Sequence, residues 1–151
     1  MEWFDADGYA HARWLLQRGV AFVYLLAFVN ILAQWRPLAG ERGLLPANEL
    51  TRSTDAFLPT LFRRGCPDRT AMSLAVVGAV VAAALVVGLP QAGPWWLPFV
   101  AFLVLWLLYL SFVTVGRIWY AFGWESLLLE AGVLVALLGS DEVAPSWAVI
   151  E

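Results

Sequence analysis

The sequence predicts an all-α, polytopic helical membrane protein with about four transmembrane or membrane-embedded helices. Composition is the first observation. Hydrophobic residues make up 62% of the 151 residues, charged residues only 14%, and mean hydropathy is +0.74. Soluble domains carry about a quarter charged residues, and one of this size still exposes ~30% of its unfolded surface. Water cannot be the solvent for most of this chain. Four long apolar runs are the second observation. The third is their punctuation by proline, glycine and arginine, which stop helices and mark interfaces.

The first run, Gly19 to Trp35, has 17 residues and no charge, near the short end of a spanning helix. The preceding YAHARWLLQR extends it, so a helix is predicted over 12–35. Asn30 and Gln34 lie four apart on one face. Two readings stand: their face turns toward another helix, where amides find partners, or Gln34 and Trp35 mark the interface. The start, MEWFDADGYAHARW, is acidic and lacks a basic n-region and a small-residue cleavage site, so it reads as part of the mature chain.

Residues 36–70 form a long polar loop rich in Arg and Pro. Within it, RPLAGERGLLP predicts an ordered turn. Gly40 and Gly43 permit positive φ, and Arg42 between them could reach a carboxylate or a lipid phosphate. The second run, Ala71 to Leu89, predicts a helix over 71–89. Its Gly78 and Ala82 have the spacing that allows close helix contact, a pattern that also arises by chance in so Ala-rich a segment. PQAGP then turns the chain. The third run opens on Trp95 and Trp96, as in an interfacial aromatic belt, and predicts a helix over 95–116 closed by Arg117.

The fourth helix, predicted over 124–139, carries Glu125 and Glu130. A charge at the bilayer centre costs roughly 2.5–3.5 kcal/mol on insertion scales. Glu125 is therefore expected near the interface beside Trp124, meeting Arg117 across a bend at Gly123. Glu130 is expected to face the other helices, bonding Ser126 on its own helix or Asn30 or Gln34. At ~100° per residue the two acids lie about 140° apart, so they form no acid–base pair on one face.

Net charge is −3, all nine basic residues are Arg, and nothing suggests nucleic-acid binding. The Arg-only usage with abundant Ala, Val and Gly points to a G+C-rich, bacterial source. The single Cys66 reads as a loop thiol without a role, and His11 alone cannot build a zinc site. No phosphate loop, Ser-His-Asp set or cofactor motif is visible. No catalytic, cofactor-binding or metal residues are assigned. The candidate polar residues are Arg42, Arg117, Glu125, Ser126 and Glu130.

Three ordered segments carry a family resemblance: ARWLLQRGVAFVYLLAFVNILAQW, then RPLAGERGLLP, then YLSFVTVGRIWYAFGWESLLLEAGVL. Together they resemble the lipase maturation factor family. The resemblance implies an integral membrane protein that assists folding or maturation of secreted or membrane client proteins. Its animal members sit in the endoplasmic reticulum and help dimeric lipases reach active form; a bacterial member implies the plasma membrane. Expected partners are membrane lipid and a client protein, with no cofactor. A more distant likeness to vitamin K-dependent carboxylase-type proteins keeps a membrane enzyme as an alternative, beside a purely structural role. The chain departs from the family at Arg117, where members usually have Gln. Members also continue beyond this point, so residues 1–151 are expected to be the N-terminal transmembrane region alone. Topology has two answers: the Arg-rich loop inside by the charge rule, outside by the family pattern.

Overall fold

The computed structural model describes residues 6–47, 60–62, 65–116, 119–120 and 123–140, with side chains from His11 onward. Among these residues the chain forms four helices and no strand. They are α1 (Ala6–Leu38), α2 (Asp68–Val87), α3 (Trp96–Val115) and α4 (Gly123–Ala136). Each coincides with one of the four predicted helices, with ends shifted by one to six residues. Three of them are long and apolar enough to cross a membrane: α1 over His11–Leu38, α2 and α3. Large apolar side chains such as Leu26, Val80 and Leu134 remain exposed, as expected when the surrounding solvent is hydrocarbon.

The fourth helix is shorter than its run suggested. It ends at Ala136, and Gly139 takes positive φ (71°). Its 14 residues reach roughly 21 Å at 1.5 Å per residue, less than the ~30 Å hydrocarbon core. Packing therefore holds it in place.

Helices α1 and α2 run antiparallel along a face of small residues. Ala71, Ala75, Gly78, Ala82 and Leu85 of α2 are all buried. The Phe28 ring of α1 fills the space where a β-carbon at Gly78 would lie. The small-residue spacing on α2 is thus a contact surface in this fold.

At the far end of α2, Gly88 adopts the left-handed conformation (φ 92°) and its N–H donates to the carbonyls of Ala84 and Leu85. Gly is the residue that tolerates this φ. The Gln91 side chain donates to the Leu85 carbonyl at 3.1 Å, satisfying another helix-end acceptor. Beside Gly88 lies the Arg18 guanidinium of α1, which also stacks on Trp14 at 4.5 Å. A cation is favoured at that helix end by the macrodipole.

Substituting Gly78→Leu is expected to push Phe28 aside and cost about 1–3 kcal/mol by overpacking. Thermal unfolding in detergent measures this, with Val80→Leu, on the exposed face of the same helix, expected to melt like the parent.

Candidate functional site

Polar groups meet inside the bundle at the level of Tyr24. Three side chains form the centre: Tyr24 of α1, Tyr109 of α3 and Glu125 of α4, each no more than 2% exposed. The Tyr109 hydroxyl donates to Oε2 of Glu125. The Tyr24 hydroxyl donates to the Leu128 carbonyl at 3.1 Å. The two rings pack edge to face at 5.7 Å. Tyr24 reaches α4 because position 132 is glycine; a β-carbon there would collide with its hydroxyl. Tyr109 lies roughly 9 Å before the end of α3 at 1.5 Å per residue, so the site is at hydrocarbon depth. There, unpaired polar groups cost several kcal/mol, and each of these hydroxyls has an acceptor.

One further contact ties α4 down. Buried Gln17 of α1 donates from Nε2 to the Gly139 carbonyl at 2.7 Å, just past the helix. Glu125, Leu128 and Gly139 thus bind α4 at successive levels to α1 and α3.

The opposite end of the bundle is aromatic. Trp35 stacks with Phe62 and Tyr120 and meets Phe112 edge to face at 5.1 Å. Ser111 of α3 accepts the Leu61 N–H at 3.2 Å, docking the loop beneath Trp35.

The RPLAGERGLLP segment is ordered by its own backbone. Gly40 N–H donates to the Trp35 carbonyl, Leu44 to Pro37, Leu45 to Leu38 and Ala47 to Ala39. Neither Gly40 nor Gly43 has positive φ, contrary to expectation. Both are required by close approach. A β-carbon on Gly40 would lie 2.6 Å from the Arg36 carbonyl and 2.9 Å from Oδ1 of Asp68, and one on Gly43 2.8 Å from the Leu38 carbonyl. The residue that works in this turn is Glu41. Its N–H donates to Oδ1 of Asp68 at 3.0 Å, and its Oε1 accepts the Asp68 N–H at 3.3 Å. This reciprocal pair joins the turn to the first residue of α2 and satisfies one of its orphan N–H groups.

The candidate polar residues separate accordingly. Arg42 is exposed and makes no hydrogen bond to a described residue. Arg117 lies outside the described residues. Ser126 is exposed and donates to the Gly123 carbonyl at 2.9 Å, so it does not meet Glu130.

The expectation for the two glutamates is corrected. Glu130 is exposed, on the outer face of α4, while Glu125 is buried. The buried face comprises Glu125, Leu128, Gly132, Val135 and Ala136. With ~140° between the acids, only one can belong to it. The tyrosine hydroxyls decide which. A tyrosine within an apolar helix needs a partner for its O–H, and Tyr24 and Tyr109 were the overlooked signal.

Cys66 is buried beside the turn. Burial, then the negative charges of Asp68 and Glu41, push its thiol up to about 12. It is a protonated, unreactive group at neutral pH. Among the described residues, no three His, Cys, Asp or Glu side chains converge to hold a metal. Between α1 and α4 runs an apolar groove of about 360 Å³, lined by residues such as Leu16, Gly19, Val23, Trp124 and Leu127.

The architecture is that of a polytopic helical membrane domain whose central polar residues fasten one helix to two others. Residues 11–150 match the family model described as the lipase maturation factor transmembrane domain. The chain belongs to the lipase maturation factor family. It is 34% identical to bovine (Bos taurus) lipase maturation factor 1 over 89% of this chain and 25% of that protein. It is 33% identical to human lipase maturation factor 2 over 83% of this chain and 19% of that protein. With the mouse (Mus musculus) lipase maturation factor 2, identity is 36% over 82% of this chain and 19% of that protein. The chain thus spans about a quarter or less of the length of these relatives. No solved structure matches.

Two outcomes are expected here. Tyr109→Phe strips the buried Glu125 of its donor and should cost about 1–3 kcal/mol. Glu125→Gln keeps an acceptor and should be milder, while Glu130→Gln on the outer face should leave the melting temperature in detergent unchanged. Adding Glu125→Leu to Tyr109→Phe should cost less than the sum of the single changes, because no unpaired polar group remains. Separately, Cys66 should resist maleimide at pH 8 in the folded protein and react fully once unfolded in dodecyl sulfate, as mass spectrometry would read.

Proposed function

We propose that this chain acts as the membrane-embedded part of a maturation factor, assisting secreted or membrane client proteins, lipases first among them. The observation that carries this reading is the family match over residues 11–150. Its relatives are named for lipase maturation.

The central site suits a scaffold rather than a catalyst. Tyr24, Tyr109 and Glu125 are closed off by the helices they join, and a substrate would have to displace α4 to reach them. On this reading the domain is not an enzyme. Its polar core fixes the relative positions of α1, α3 and α4, and so the geometry of the turn and loop at the aromatic end. That end, with the exposed Glu41, Arg42 and Leu44 above the buried Trp35, is the part of the described surface offered toward a client outside the bilayer. The alternative of a carboxylase-type membrane enzyme would require chemistry outside the groups described.

The test is genetic and enzymatic. The gene is deleted in its host, and the specific activity of a secreted lipase is measured per mass of lipase protein. A several-fold drop, restored by the intact gene and not by Tyr109→Phe/Gly132→Leu, is the expected result. Unchanged lipase specific activity after deletion would remove lipase maturation as the function.

A further inference from the structure

We draw no further inference here: the strongest candidate, the apolar groove of about 360 Å³ between α1 and α4, carries nothing because nothing in the structure shows what covers it.

Discussion

Hydrogen bonds from two tyrosine hydroxyls to α4 hold this bundle in its shape. Inside a bilayer the hydrophobic effect does not press helices together, because lipid tails are as apolar as leucine. Contact must come from close packing and from polar groups that have nowhere else to go. Tyr109 to Glu125 and Tyr24 to Leu128 are such contacts, and Gly132 opens the gap that admits the second. Helix α4 is short and has few neighbours besides α1 and α3. Its position follows from these bonds and from the Gln17 bond to Gly139.

The pairing of α1 with α2 rests on shape. Small residues along α2 bring the backbones close enough for Phe28 to lie against Gly78, and many weak dispersion contacts accumulate there. Polar bonds close both ends. At one end Glu41 and Asp68 exchange backbone and side-chain hydrogen bonds, and at the other Gly88 and Gln91 cap the helix. The turn between α1 and α2 is stiff for the same reason that it is glycine-rich. Its backbone strands pass too near Arg36, Leu38 and Asp68 to admit a side chain.

Hydropathy made the helices legible, because a run of about 20 apolar residues has few other fates. Pro90 and Pro94 marked the turn after α2, whereas Gly88, which ends the helix, was read as part of it. The site was only half legible. Cost arguments identified Glu125 and Glu130 as the residues needing explanation, but cost alone does not say which face of α4 turns inward. That choice depends on hydroxyls from other helices, and pairing between distant segments leaves no local pattern. Gly40 and Gly43 were read through their conformational freedom, whereas their use is the absence of a β-carbon. Arg42 drew attention by its charge, yet its neighbour Glu41 makes the bonds, since an acid suits the N–H groups at a helix start.

The brevity of α4 has a consequence for biogenesis. A 14-residue segment carrying two carboxyl groups is a poor substrate for membrane insertion on its own. Helices α1, α2 and α3 can each enter the bilayer independently, since each has the length and hydropathy of a self-sufficient span. The acceptors on α4 become affordable only where Tyr24 and Tyr109 already stand ready. Assembly therefore has a direction in time. Of the four helices described, the first three form a template and the fourth follows them, as a segment recruited by the folded part of its own chain rather than by the lipid.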